Sequence, residues 1–418
     1  MPAQHKRLPE GRAAFAHKDF IFYELARLFI VLSLEMESVA VAWQVYEITK
    51  RPLDLGYVGL AQFLPGFVLF LFAGHAADIW DRRKLLTWCY LGFCFCSLLL
   101  LGISWKAGRS VHPIYLVLVL LGSIRALNWP ASRALLPQLV PQEHFASAVA
   151  WNSITFQIAG IAGPAIGGIL YAWLRGPQIV YSFAFASAAL AVVWTIRIKP
   201  RSVARSTEPV SLQSSLAGLR YIWNRKLILG SISLDMFAVL LGGAAALLPI
   251  FAREILHTGP WGLGLLRSAP GVGAALVAVV MAHRPIRRRA GIKMMWCVAG
   301  FGIFTILFGL SRSLILSLLA LVLVGACDMV SVIIRSTLVQ VATPDQMRGR
   351  VNAVDMLFIG VSNELGEFES GLTAHWFGIV PAVVIGGIGT LVVIATWSVL
   401  FPQVRRVDQL TETELTAK

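Results

Sequence analysis

Twelve apolar runs, each near the length that a helix needs to cross a bilayer, constrain the fold more than any other feature of the sequence. A spanning helix needs about 20 predominantly apolar residues. The composition agrees, because 57% of the residues are hydrophobic and only 14% are charged, whereas about a quarter are charged in soluble proteins. Hydropathy places the runs at 20–46, 55–77, 85–105, 113–138, 146–172, 178–198, 227–251, 261–283, 292–311, 313–340, 348–373 and 378–401. We therefore predict an all-α, polytopic membrane protein with twelve transmembrane helices.

Basic residues concentrate in alternate connections between these runs. One set of connections holds Arg82, Arg83 and Lys84, then four basic residues between 197 and 205, and later Arg287, Arg288 and Arg289. The positive-inside rule places this set, and with it both termini, in the cytoplasm. The net charge of +14 forms no continuous basic face with interleaved aromatic residues, so nucleic acid is not an expected partner. The lipid bilayer is the expected surrounding.

The stretch 199–226 is the one long polar connection, and it divides the chain into two halves of six runs each. Within it, Leu212, Leu216, Leu219 and Trp223 recur at helical spacing beside basic residues, which is typical of an amphipathic helix on a membrane surface. Two six-helix halves around a midplane site are characteristic of one large class of secondary transporters. The predicted divisions are a cytoplasmic tail at 1–19, a six-helix bundle at 20–198, the linker at 199–226, a second bundle at 227–402 and a cytoplasmic tail at 403–418.

The charged sequence GHAADIWDRRKLL, residues 74–86, separates the second and third runs. Its charges cannot lie in hydrocarbon, so it is predicted as a tight water-facing turn. It resembles the conserved loop of the major facilitator superfamily, with matches at Gly74, Asp78, Arg82 and Arg83. An acid at the place of Asp81 is similar to the branch of efflux permeases that includes the enterobactin exporter.

The resemblance implies a cytoplasmic gate in which the carboxylate and arginines of this loop latch the two halves together. The alternative is a solvated basic turn that only sets topology. The corresponding second-half sequence, AHRPIRRRAGIKMM, has three arginines but no acid, so we expect it to have lost the latch.

The fifth run contains QIAGIAGPAIGGIL, which resembles the superfamily pattern associated with exporters at Gly163, Pro164, Gly167 and Gly168. Glycines at this spacing let another helix approach closely, and proline permits a bend. Ordinary helix packing is the alternative interpretation.

Ionisable residues inside the runs are costly there and mark functional candidates. Glu24 is expected to pair with Arg27, and Arg125 resembles the superfamily's fourth-helix arginine, which is proposed there to aid proton transfer. Arg133 is expected to be structural, and Asp328 to pair with Arg125 or Arg335. The choice between Glu35 and Glu37 as the residue that faces a central cavity stays open. The candidates for proton coupling and the substrate cavity are Glu35, Glu37, Arg125, Asn128, Asp235, Asp328, Glu364 and Glu367.

The sequence lacks the phosphate loop of ATP motors and the GxSxG and HExxH hydrolase motifs, so no enzyme activity is expected. The resemblance implies a monomeric multi-pass protein of the bacterial inner membrane that exports a small amphiphilic molecule, a siderophore or drug-like compound. We expect no cofactor and no metal site, with the proton motive force as the driving energy. The alternatives are a lysophospholipid or metal-ion transporter, transport without coupling, and a membrane scaffold or sensor that does not transport.

Overall fold

The computed structural model describes residues 10–105, 110–174, 176–200, 212–284, 286 and 288–410. Within these ranges the side chains of residues 10–11, 70–79, 212–216 and 345 are not described. The described chain is helical throughout and contains no strand. The predicted all-α class is therefore confirmed.

Twelve long helices follow one another along the chain. In the first half they are α1 (Lys18–Thr49), α2 (Pro52–Ile79), α3 (Arg82–Trp105), α4 (His112–Leu135), α5 (Phe145–Trp173) and α6 (Pro177–Arg197). A shorter linker helix (Leu212–Asn224) precedes α7 (Lys226–Gly242), α8 (Gly259–His283), α9 (Ala290–Leu310), α10 (Leu314–Val341), α11 (Asp345–Phe377) and α12 (Ile379–Leu400). Short helical turns join some of them, including a π-helical turn at Phe251–Ile255 and a last turn at Pro402–Arg405.

Ten helical segments within the described residues are long and apolar enough to cross a membrane. They include all the long helices except α1 and α11. These two are also the longest helices, with 32 and 33 residues, but each carries several charges that lower its hydropathy. The charged helices are therefore the ones in which function is to be sought, since intramembrane charge is retained at a cost.

The chain divides into two compact units. Unit 1 comprises 1–40, 64–108 and 112–210, and unit 2 comprises 41–63, 109–111 and 211–418. The segment 41–63 belongs to unit 2 because its residues pack there: Tyr46 donates a hydrogen bond to Glu254 Oε1, and Gly56 lies against the backbone of Phe368 and Gly371. The domain boundaries proposed from the sequence stay a prediction.

The charged turn between α2 and α3 is shorter than predicted. Only Trp80 and Asp81 lie between the helices, so Arg82, Arg83 and Lys84 form the first turn of α3 rather than a loop. Asp81 explains this start, because its Oδ1 accepts the Lys84 N–H at 3.0 Å and its carbonyl accepts the Leu85 N–H at 2.8 Å. A side-chain acceptor of this kind satisfies amides that a helix beginning leaves open.

Candidate functional site

A cluster of buried charges joins three helices of unit 2. Arg335 of α10 is 2% exposed, and its Nη2 lies 3.3 Å from Asp235 Oδ2 of α7. Its Nη1 donates to Asp355 Oδ1 of α11. One guanidinium therefore holds two carboxylates from two other helices, a geometry that the fork of donors on arginine suits.

Asp328 lies seven residues before Arg335 on α10, which puts it on the same helix face. It interacts electrostatically with Asp235 and Arg335, but within the described residues it makes no ion pair within 4.0 Å. Arg335 attracts Asp328 without pairing with it directly, since Asp235 and Asp355 contact the guanidinium; pairing of Asp328 with Arg125 stays a prediction. Three acids therefore share the surroundings of one buried guanidinium, and two of them contact it.

Asp355 is not among the residues predicted from the sequence. It lies ten residues into α11, about 15 Å along the axis at 1.5 Å per residue, and is 7% exposed. A single acid at that depth is itself a signal, because a charge there needs a partner.

Unit 1 also contains buried carboxylates. Glu37 of α1 is 2% exposed, and its Oε2 accepts a hydrogen bond of 2.7 Å from Ser97 Oγ of α3. Its Oε1 has no hydrogen-bond partner in the described chain, and Arg125 of α4 attracts it from a longer distance. The Oδ1 atom of Asn128, one turn further along α4, is likewise buried without a described partner.

Glu35 lies at the contact between α1 and α5. A β-carbon added to Gly163 would be 2.5 Å from Glu35 Cβ, and one added to Gly167 would be 2.8 Å from Met36 Cα. These glycines therefore permit the close approach of α1, which is the packing interpretation of their motif. Helix α5 continues unbroken through Pro164 and Gly168, both buried. An exporter role for the motif stays a prediction.

The acids of α11 pack against α2 inside unit 2. A β-carbon added to Gly59 would lie 2.9 Å from both Cβ and Oε2 of Glu367 and 3.2 Å from the carbonyl oxygen of Glu364. Both glutamates interact with other groups of the protein. Among the described residues, neither glutamate forms an ion pair with Arg335. The predicted acids therefore do not all lie in one site.

The predicted cytoplasmic gate is described only in part. Gly74 and Asp78 fall in the segment 70–79, so the side chain of Asp78 lies outside the described residues. Arg83 donates to the carbonyl oxygen of Ile196 at the end of α6, and Arg82 Nε is buried without a partner among the described residues. The latch stays a prediction.

The second basic turn obtains an acid from a distant part of the chain. Asp408 Oδ1 accepts the Arg289 N–H at 2.9 Å, and its carbonyl accepts the Ala290 N–H at 3.1 Å, where α9 begins. The neighbouring Val404 and Val407 are buried in the same hydrophobic core as Ala290. The sequence motif lacks an acid, but the folded turn does not.

A polar network at the start of α1 was also missed. Tyr23 Oη lies 2.8 Å from Ser132 Oγ of α4, and Asn152 of α5 donates to both Tyr23 Oη and Glu24 Oε1 at 3.2 and 3.3 Å. Glu24 and Arg27 attract each other, but no described ion pair within 4.0 Å joins them. The expected Glu24–Arg27 pair is thus replaced by hydrogen bonds from α5. Within the described residues, no group of three or more His, Cys, Asp or Glu side chains could hold a metal ion.

Comparison with known proteins places this architecture in a family. The transmembrane secretion effector family model matches residues 11–417. Two similar proteins are named enterobactin exporter EntS. The one from Citrobacter koseri is 26% identical over 403 residues, 94% of each chain, and the one from Escherichia coli strain SMS-3-5 is 26% identical over 411 residues, 96% of each chain.

Solved transporters share the fold. A POT family transporter in complex with a thioalcohol-conjugated peptide aligns with a TM-score of 0.73 at 13% identity, covering 92% of this chain and 96% of that one. A bacterial homologue of the human lysosomal transporter Spinster, inward-facing and occupied, aligns with a TM-score of 0.71 at 14% identity, covering 94% and 99%. The resemblance read from the sequence is confirmed. The chain is a multi-pass membrane transporter that belongs to the transmembrane secretion effector family of the major facilitator superfamily.

Proposed function

We propose that this transporter exports a small amphiphilic molecule, a siderophore or drug-like compound, across the bacterial inner membrane in exchange for protons. Both termini would lie in the cytoplasm. Transport would proceed by alternating access, in which two bundles expose a midplane site to one side at a time. The names of the enterobactin exporters support the direction and suggest the first substrate to try.

The observation that carries the coupling is the excess of acid around Arg335. The guanidinium holds Asp235 and Asp355 while Asp328 adds a third carboxylate within electrostatic range. Because the cluster is buried, its extra negative charge is best relieved by a proton, and losing that proton would favour a different arrangement of α7, α10 and α11. The cluster can thus convert proton binding into helix movement.

The driving energy is sufficient for export. One charge moving across 100 mV releases about 2.3 kcal/mol, and each pH unit adds about 1.4 kcal/mol. One proton per cycle could therefore maintain a substrate gradient of a few hundred-fold, since about 1.4 kcal/mol is tenfold.

The test is uptake into inside-out vesicles with an imposed proton gradient, using enterobactin first and then other siderophores and drugs. We expect the gradient to accelerate uptake, and Asp355→Asn or Asp328→Asn to abolish that acceleration. Glu143→Gln is the matched control, because Glu143 is exposed on the turn before α5. If none of the compounds moves, or if the gradient leaves uptake unchanged in the unaltered protein, the proposal is wrong.

A further inference from the structure

Two arginines of unit 1 lie over aromatic rings, one on its own helix and the other on a different helix. The guanidinium carbon of Arg133 is 4.8 Å from the ring centre of Trp129 in α4, and that of Arg27 in α1 is 5.5 Å from the ring centre of Phe156 in α5. Trp129 is 48% exposed and Phe156 is 42% exposed. Each pair therefore presents a cation together with an accessible aromatic surface.

The position of Arg27 is fixed by the polar network beneath it. Its Nη1 donates to Ser132 Oγ at 3.2 Å, and Ser132 is itself 4% exposed and bonded to Tyr23. The Nε of Arg27 has no hydrogen-bond partner in the described chain. A guanidinium offers five donors, and because Nε is buried, an incoming anion would have to meet the terminal nitrogens.

The acid nearest in the sequence attracts Arg27 but forms no described ion pair with it within 4.0 Å. Glu24 is 6% exposed and accepts hydrogen bonds from Asn152 and Thr155 instead of forming an ion pair with Arg27. Arg27 and Arg133 lie close enough to repel each other. An anion placed between the two guanidinium groups would relieve that repulsion, because like charges at short range favour a counter-ion.

We propose that Arg27, Arg133, Trp129 and Phe156 form a binding site for the anionic group of the transported molecule. The ligand class is a planar anion on an aromatic body, such as an aromatic carboxylate, phenolate or sulfonate. Arginine binds planar anions through paired N–H donors, and the two rings offer faces for an aromatic body to stack on. The inference rests on the proposed transport function and reassigns Arg133, which the sequence suggested was structural.

A phospholipid phosphate is a second anion that could bind here. Arg133 lies near the end of α4, where a lipid headgroup could reach it. The two sources differ in what surrounds the anion. Two aromatic rings beside two guanidinium groups favour an aromatic anion over a phosphate on a glycerol body, since aromatic rings gain from stacking on one another. We therefore assign the site to the transported molecule.

The experiment measures equilibrium binding of radiolabelled naphthoate to the full-length protein in phosphatidylcholine nanodiscs, with empty discs as background. The neutral analogue naphthalenemethanol reports stacking without charge. We expect saturable naphthoate binding that weakens about tenfold in Arg133→Gln and in Arg27→Gln, as loss of one charged hydrogen-bond donor predicts. Binding of the neutral analogue should change little, and Arg133→Lys should restore only part of the affinity.

The matched control is Arg197→Gln. Arg197 lies 4.8 Å above the ring of Trp194 in α6, the same kind of pair at another place in unit 1, so its loss should leave naphthoate binding unchanged. Equal weakening in this control, or unchanged binding in both test variants, overturns the proposal. Loss of naphthoate binding when part of the phosphatidylcholine is replaced by phosphatidylglycerol also overturns it, because the site would then belong to lipid.

The binding experiment and the transport experiment can refute their two proposals independently. Equilibrium binding needs no proton gradient, so normal naphthoate binding with no gradient-driven uptake would refute the proposed coupling and leave the anion site in place. Gradient-driven uptake of another compound with no naphthoate binding would refute the anion site alone. Arg133 is exposed, so Arg133→Gln remains informative if Arg27→Gln fails to fold.

Discussion

The two units stabilise a buried carboxylate in different ways. In unit 2, Asp235 and Asp355 are paired with a single guanidinium that is 2% exposed, and Asp328 lies close by. In unit 1, the one described hydrogen-bond donor to Glu37 is the hydroxyl of Ser97, and Arg125 acts from further away. The first arrangement depends on charge, whereas the second needs only a hydrogen bond and tolerates a neutral carboxyl group.

This difference has a consequence for movement. The ion pairs of unit 2 tie α7, α10 and α11 together, so a change in charge at any member alters how three helices are held. The bond of Glu37 joins only α1 and α3, and a protonated Glu37 could keep it as acceptor. We infer that the unit 2 cluster is the more sensitive to protonation, and four substitutions can test this contrast.

Arg335→Gln should have the largest effect. It leaves two buried carboxylates without their cation, and breaking a buried ion pair from one side costs about 3–5 kcal/mol. We expect a large drop in thermal unfolding temperature in detergent, partly recovered when Asp235→Asn and Asp355→Asn are added. Arg312→Gln, an exposed arginine, is the control. A small loss in Arg335→Gln would mean that the acids are already neutral and that the comparison is wrong.

Ser97→Ala should have the next largest effect. It removes the hydrogen bond that Ser97 donates to the Glu37 carboxylate, and a buried polar group left unsatisfied costs about 1–3 kcal/mol. The matched control is Ser123→Ala, because Ser123 donates to the carbonyl of its own helix on an exposed surface. The measurement is again thermal unfolding. Equal losses in the two variants would show that Glu37 does not depend on Ser97.

Asp328→Asn should change stability in the opposite direction. Asparagine keeps the volume and is neutral beside Asp235 without taking up a proton, so we expect the free energy of unfolding to rise by about 1 kcal/mol. The gain should disappear in an Asp235→Asn background, which lacks the repelling charge. A loss of stability instead would place Asp328 among the paired acids and would undo the assignment of an excess carboxylate.

Glu37→Gln should have the smallest effect on stability, within about 0.5 kcal/mol. Glutamine keeps a hydrogen-bonding oxygen for Ser97 and removes the cost of burying a charge. A drop as large as that of Ser97→Ala would show that attraction to Arg125 holds an ionised Glu37. In that case both units would rely on charge, and the contrast between them would disappear.

The helix bounds show how much of the fold the sequence predicts. The apolar runs predict the helices closely, because hydropathy is a local property: the run at 292–311 is observed as Ala290–Leu310, and that at 378–401 as Ile379–Leu400. The largest difference is 227–251, where α7 ends at Gly242 and short turns continue to Ile255. Two adjacent glycines, Gly242 and Gly243, are consistent with that end, since glycine disfavours helix continuation.

The sites were predicted less well, because their partners are far apart in the chain. Asp235 and Asp328 were identified as single acids at membrane depth, but Asp355 was not, and nothing in the sequence joins it to Arg335 twenty residues earlier. Likewise, the acid that caps α9 is Asp408, 119 residues beyond Arg289. A motif search along the chain cannot find such a residue.

Hydropathy, basic turns and the glycine motif, all local properties, therefore determined the class of protein and the order of its helices. Tertiary structure alone decided which side chain satisfies each buried charge. Ser97 donates a hydrogen bond to Glu37, Arg335 donates one to Asp355, and Asn152 rather than Arg27 donates one to Glu24. The physical reason is that burial cost is set by the residue's depth, which the sequence reveals, whereas its compensation comes from whichever side chains the packed helices bring within hydrogen-bond distance.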